Sequence, residues 1–341
     1  MFFHKLCFFC HTNNMKRKYL MLIPIFILLS ISIYYLPDTY RLKQLLWIAV
    51  GIFILLIFKF IKPSWIKKTT WLFYIICNLL LIFVLFYSKF TNGSRGWIEF
   101  KYFSLQPSEL TKISLILISN YLVSKKNKHP FIYLILFLIP SILTFLEPDT
   151  GAVIIYAIIF LSYLKYFFKP KTIKYLLLIF TIILSSFTIL YYTNHKLFIN
   201  LLGTSMYYRI DRITSFKENN NLQTTNALIS IGSNKTMYFP EKYNDFFFSY
   251  ILSNNIYISI IIILSYIILL YFLLKYNSLT STTWFYILLF QVLENMSMNL
   301  SLLPVIGIPL PFLSYGGSHI ICSFIILSLV FKEKKKSISY S

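Results

Sequence analysis

Carboxylates are scarce in this chain, 11 among 341 residues, so the places where they gather mark where proton chemistry could be done. The stretch YFPEKYNDFFF, residues 238–248, sets Glu241, Lys242 and Asp245 at the mouth of a long apolar run. Two readings of that aspartate stand. It caps the helix that follows, where the dipole favours negative charge, or it is a functional carboxylate at the membrane boundary. Glu241 and Asp245 are four apart and share a face if the helix begins before Asp245. In QPSEL, residues 106–110, Pro107 suits a helical first turn, and Glu109 and Lys112 then lie three apart on one face. That pair is either a structural lock between helices or part of a functional cavity. FLEPDTGAV, residues 145–153, brackets a proline with Glu147 and Asp149, a tight turn in which Asp149 caps the next helix. YYRIDRITSF carries Arg209 and Arg212, which hold a phosphate or pyrophosphate if they converge, or belong to an amphipathic helix on the bilayer surface. Finally, residues 294–318, ENMSMNLSLLPVIGIPLPFLSYGGS, break an apolar region with prolines and glycines beside Glu294 and Asn295.

The elements that position these residues follow from composition. The chain is 57% hydrophobic and only 13% charged, with apolar runs long enough to cross a bilayer, which takes about 20 residues as helix. No alternation of short strands suggests a barrel. The fold class expected is all-α integral membrane, a polytopic bundle of about ten spans at residues 20–36, 44–61, 71–88, 107–123, 131–146, 151–168, 173–192, 246–273, 281–302 and 312–331. Residues 1–19 read as a basic leader, with 1–14 an extension ahead of Met15; 20–331 as one membrane domain; 194–245 as a large external loop; and 332–341 as a basic tail. Broken backbone at membrane depth, as in 294–318, is tolerated only where it packs in protein or lines a cavity.

With the N-terminus placed in the cytoplasm, the lysines fall on inner segments, as in Lys16 and Lys18, Lys67 and Lys68, Lys125, Lys169 and Lys332, in keeping with the positive-inside tendency. Eight of the 11 carboxylates sort to the outer side, which locates the chemistry there. The net charge of +21 is spread in small groups at helix ends. It is read as topology signals meeting anionic lipid, not as a nucleic-acid surface. The C-x-x-C-H pattern at Cys7 to His11 lacks the context of haem attachment, and no cysteine pair reads as a disulfide.

The string LLPVIGIPLPFLSYGGS resembles the "GLLPVTGIPLPFxSYGGS" region of the SEDS family, which includes RodA, FtsW and SpoVE. Further motifs match in the same order. GSRGWIEFKYFSLQPSELTK is similar to the family's outer-loop and fourth-span motif, EPDTGAV to "QPDLGTA", RITSFKEN to "RxxxFLDP", ALISIGS to "SLIAIGSGG" and FPEKYNDFFF to "LPExHTDFIF". The resemblance runs from about Met15 to Phe331. It implies a peptidoglycan glycosyltransferase that polymerises lipid II on the outer face of the cytoplasmic membrane, working with a class B penicillin-binding protein as transpeptidase. It also implies that Asp245, the counterpart of the family's essential aspartate, is the base. A lipid pyrophosphate leaving group needs compensating charge from Arg95, Lys112, Arg209 or Arg212, or from a divalent cation, Mg or Mn. Glu109 positions Lys112, Trp97 offers a ring to sugar or lipid, and Glu241 and Ser314 complete the expected substrate-binding set. The sequence departs from the family in two places: Tyr243-Asn244 replaces His-Thr, and the stretch 234–238 is shortened. Two other readings differ in class, a transporter of the lipid-linked sugar and a weakened scaffold for a partner transpeptidase.

Overall fold

The computed structural model describes residues 2–88, 96–100, 103–125, 129–204, 207, 210–211, 222–233 and 241–333. Its helices are α1 (Phe2–Tyr35), α2 (Asp38–Phe60), α3 (Pro63–Tyr87), α4 (Pro107–Ser124), α5 (Pro130–Leu146), α6 (Thr150–Phe167), α7 (Pro170–Thr193), α8 (His195–Leu202), α9 (Leu222–Ser233), α10 (Phe247–Asn254), α11 (Ile256–Tyr276), α12 (Leu279–Asn299) and α13 (Gly317–Lys332). A short antiparallel ribbon, β1 (Ile98–Glu99) with β2 (Ser104–Leu105), pairs Ile98 with Leu105 just ahead of α4.

Local chemistry sets the boundaries. Pro63, Pro107, Pro130 and Pro170 each open a helix at its first turn after an extended residue, where the missing N–H costs nothing. Asp149 caps α6 by accepting from the Ala152 N–H at 3.0 Å, as its sequence context indicates. Asn277, in the left-handed region at φ 51°, ends α11, and Ser278 with Ser281 forms a capping box for α12.

The helices α2, α3, α6, α7 and α11, with the Lys18–Tyr35 part of α1, are long and apolar enough to cross a membrane; α5 and α13 are apolar but shorter. The remaining two expected spans fall on α4 and α12, whose buried faces carry Glu109, Lys112, Gln291, Glu294 and Asn295. One correction is needed. Residues 246–273 are not a single span, because the chain breaks at Asn255 (φ −157°), whose side chain turns back to accept from the Tyr257 and Ile258 N–H groups and starts α11 afresh.

Helix α13 packs on α2, α3 on α4, α1 on α11, and α6 against α4, α5 and α12. Lipid is as apolar as leucine, so burial alone drives little association; close packing and cross-helix hydrogen bonds at about 0.6 kcal/mol each do the work. Buried tyrosines supply many of those bonds. Tyr74 donates to the Leu136 carbonyl at 2.8 Å, Tyr133 to that of Phe160 at 3.0 Å, Tyr156 to that of Ser108 at 2.8 Å and Tyr266 to that of Pro311 at 2.8 Å. Tyr163 donates to Asn120 Oδ1 at 2.8 Å and Tyr276 to the Glu333 carbonyl at 2.9 Å.

The bundle has two unlike ends. At one, Lys18 donates to the Phe331 carbonyl, Lys332 to those of Phe58 and Lys59, and the Glu333 carboxylate accepts from the Thr280 N–H. At the other, the end of α1, the start of α2, the turn 241–246, α10 and the 300–316 loop meet through the rings of Tyr35, Tyr40, Tyr243, Tyr250 and Tyr315.

Candidate active site

The turn that carries Asp245 is built before the helix begins. Residues 241–246 form turns, and α10 starts at Phe247 with Phe246 as its N-cap and no side-chain cap bond. Asp245 is therefore not the cap that its position ahead of an apolar run suggests, and Glu241 does not share a helix face with it. Glu241 instead reverses the chain at φ 56°, and its carbonyl accepts from the N–H groups of Asn244 at 3.0 Å and Phe246 at 3.2 Å.

Three side chains hold this turn from outside. Asn295 and Asn299, one turn apart on α12, both donate to the Asp245 carbonyl, at 2.8 and 3.0 Å. Asn295 also donates to the Ile308 carbonyl at 2.8 Å, and Asn299 Oδ1 accepts from the Ser249 N–H at 2.9 Å. Ser314 donates to the Asn244 carbonyl at 2.7 Å and accepts from the Leu310 N–H at 3.0 Å, while the Tyr315 N–H donates to the Tyr243 carbonyl at 2.9 Å. With Ser314 1% exposed and its hydroxyl engaged twice, it belongs to the scaffold of the turn. Gln44 on α2 ties that scaffold to Ser32, donating to Ser314 O at 3.3 Å and to Ser32 Oγ at 3.1 Å.

The Asp245 carboxylate lies beside Gly307. A Cβ at 307 would stand 3.3 Å from Asp245 Oδ2, and φ there is +80°, so glycine serves both the backbone and the space. Burial, then the charges of Glu241 and Asp149, push the Asp245 carboxyl up to about 7. Asp149 is held in place, accepting at Oδ2 from Ser108 Oγ at 2.8 Å and Gln106 Nε2 at 3.0 Å. Its neighbour Glu147 is fully buried with both oxygens unpartnered among the described residues. Burial and the Asp149 charge raise it to about 8.

Glu109 and Lys112 form a buried ion pair at 2.5 Å, with His319 Nδ1 3.5 Å from the other Glu109 oxygen. Trp97 is half-buried just ahead of the ribbon, and Glu241 is exposed. Arg95, Arg209, Arg212 and the stretch 234–238 lie outside the described residues. Among the described residues, no three His, Cys, Asp or Glu side chains gather in a way that could hold a metal ion.

Sequence reading missed Asn299 and Gln44, and it gave Asn295 no task. The available signal was two asparagines four apart in a span, since buried amides at membrane depth need partners. It also left the Tyr243-Asn244 departure unexplained. Asn244 offers its carbonyl to Ser314, and the Tyr243 ring packs 5.5 Å from both Tyr40 and Tyr250.

A carboxylate raised by burial and like charge thus sits at one end of a polytopic helical bundle, the class of fold that the comparisons then specify. Residues 5–337 match the FtsW/RodA/SpoVE family of cell cycle proteins, and the chain belongs to that family. It is 30% identical over 358 residues to a probable peptidoglycan glycosyltransferase FtsW of Buchnera aphidicola, covering 91% of this chain and 90% of the relative. It is 29% identical over 349 residues to the peptidoglycan glycosyltransferase MrdB of Helicobacter pylori, covering 92% and 87%. Its fold is similar to a chain of a solved peptidoglycan synthase complex that coordinates polymerization and crosslinking, at 20% identity and a TM-score of 0.75, covering 92% of this chain and 96% of that one.

Proposed function

We propose that this protein is a peptidoglycan glycosyltransferase that polymerises lipid II into glycan strands, with Asp245 as general base. The observation that carries the reading is the turn itself: a carboxylate raised to about 7 by burial and like charge, on a backbone clamped by Asn295, Asn299 and Ser314. Near neutral pH such a group is divided between its two forms, which suits a base that must take a proton and later release it. Asp245 takes the proton of the acceptor sugar hydroxyl as its oxygen attacks the anomeric carbon of the donor. The bond to the polyprenyl pyrophosphate breaks with inversion, and the released pyrophosphate carries away the electron pair.

Arg95, Arg209 and Arg212 are the side chains proposed to meet that leaving group, with Trp97 and Glu241 at the substrate. Lys112 is paired with Glu109 and acts through the shape of α4. The basic end of the bundle is assigned to the cytoplasm with both termini, which sets Asp245 on the outer side of the inner membrane. The partner proposed is a class B penicillin-binding protein that crosslinks the strands; the similarity to a chain of a peptidoglycan synthase complex supports it.

The test is polymerisation of lipid II by purified Asp245→Asn protein. General-base loss lowers the rate by about 10²–10⁴-fold without lowering the thermal midpoint. Strand formation at the wild-type rate overturns the assignment.

A further inference from the structure

Two groups of tyrosines in this molecule are unlike. Those in the core donate their hydroxyls to named acceptors, as described for Tyr74, Tyr133, Tyr156, Tyr163, Tyr266 and Tyr276. Those around the Asp245 turn do not. Tyr35, Tyr40, Tyr243, Tyr250 and Tyr315 come from the end of α1, the start of α2, the turn, α10 and the loop before α13. None of their hydroxyls bonds another described residue. Their rings meet edge-on or tilted, Tyr40 with Tyr315 at 4.9 Å and with Tyr243 at 5.5 Å, and Tyr250 with Tyr243 at 5.5 Å and with Tyr35 at 6.2 Å. Tyr40 is 39% exposed and the other four are half-buried. Lys242 stands 4.2 Å over the Tyr250 ring, without a carboxylate partner among the described residues.

We propose that these tyrosines and Lys242 form a saccharide subsite, which holds a hexopyranose unit of the glycan beside Asp245. The inference rests on the glycosyltransferase reading and deepens it by placing the acceptor or donor sugar. A tyrosine offers an apolar ring with a polar tip. A pyranose needs the complement of that, an aromatic surface for its C–H face and donors for its hydroxyls. Here five rings from five chain segments meet in one patch, and none of their hydroxyls is among the buried, unpartnered atoms, so each is open to an incoming ligand. Interfacial tyrosines of an aromatic belt also lack protein partners, but a belt encircles a bundle, whereas these rings touch one another around a single turn.

The experiment uses the full-length protein in nanodiscs and the tetramer of N-acetylglucosamine as probe, with affinity read by calorimetry and ring contact by saturation-transfer NMR. Wild type binds the probe. Tyr40→Leu with Tyr243→Leu weakens binding about tenfold. Tyr243→Phe, which keeps the ring and its packing, weakens it about threefold. Tyr257→Leu, at a 75% exposed tyrosine on α11, leaves it unchanged. Absence of binding by wild type, wild-type affinity in the double variant, or an equal loss in the Tyr257 variant each overturns the subsite. Because binding is read without turnover, failure here is separable from failure of the base. Polymerisation by Asp245→Asn at the wild-type rate removes the base and leaves the affinities standing.

Discussion

Two carboxylates near the same end of the bundle are treated in opposite ways. Glu109 is bridged by Lys112 at 2.5 Å and flanked by His319. Asp245 faces the charges of Glu241 and Asp149, and its backbone, not its carboxylate, receives the donors of α12. A carboxylate paired with a cation locks helices, while one set among like charges binds its proton more tightly than an ordinary carboxylate and is divided between its two forms near neutral pH. The sequence places both in similar settings, a polar residue at the mouth of an apolar helix, so only partner geometry separates them.

The contrast can be broken most forcefully at the two sites themselves. Asp245→Asn lowers polymerisation of lipid II by about 10²–10⁴-fold and spares stability. Lys112→Met does the reverse in kind, leaving Glu109 buried without its cation and costing about 3–5 kcal/mol, which replacing both partners by apolar residues largely restores. Thermal unfolding of the two variants side by side checks this, and a stability loss confined to Asp245→Asn would invert the assignment.

Smaller changes sharpen it. Asn299→Ala removes a donor from the Asp245 carbonyl and an acceptor from the Ser249 N–H. The expected cost is about 1–3 kcal/mol of stability, read by thermal unfolding, together with a lower kcat at unchanged KM. Glu147→Gln acts through pH. With its carboxyl raised to about 8, the folded state binds the proton more tightly than the unfolded one, so stability is fully present below the ordinary glutamate range and falls as pH rises toward 8. The glutamine variant lacks that part of the slope and melts higher than wild type at pH 8. Glu241→Gln is the mildest change. Removing a like charge lowers the Asp245 value, and the acid limb of the pH–rate profile shifts to lower pH.

Much of this was legible in the chain. The apolar runs give the helices, prolines mark their starts, and Asp149 announces its cap. The LLPVIGIPLPFLSYGGS string points to the family that the whole-chain match bears out. What could not be read is what depends on distant pairs. Asp245 looks like a cap because local sequence favours one, yet Glu241 at φ 56° delays the helix until Phe247. Asn255 breaks a run whose hydropathy is unbroken, since an asparagine amide can satisfy the new helix end. Ser314 reads as a residue for substrate until Asn244 and Leu310 are seen to occupy its hydroxyl.

The hydrogen bonds from Ser314 to the Asn244 carbonyl and from Tyr315 to the Tyr243 carbonyl join two stretches some 70 positions apart into one unit of inheritance. Both acceptors are main-chain carbonyls, so a chimera that imports a relative's aspartate turn onto the native loop before α13 keeps these bonds only where the two backbone paths match. Transplanting the two together preserves them, so the smallest exchangeable part of this enzyme is a pair of segments, not a loop.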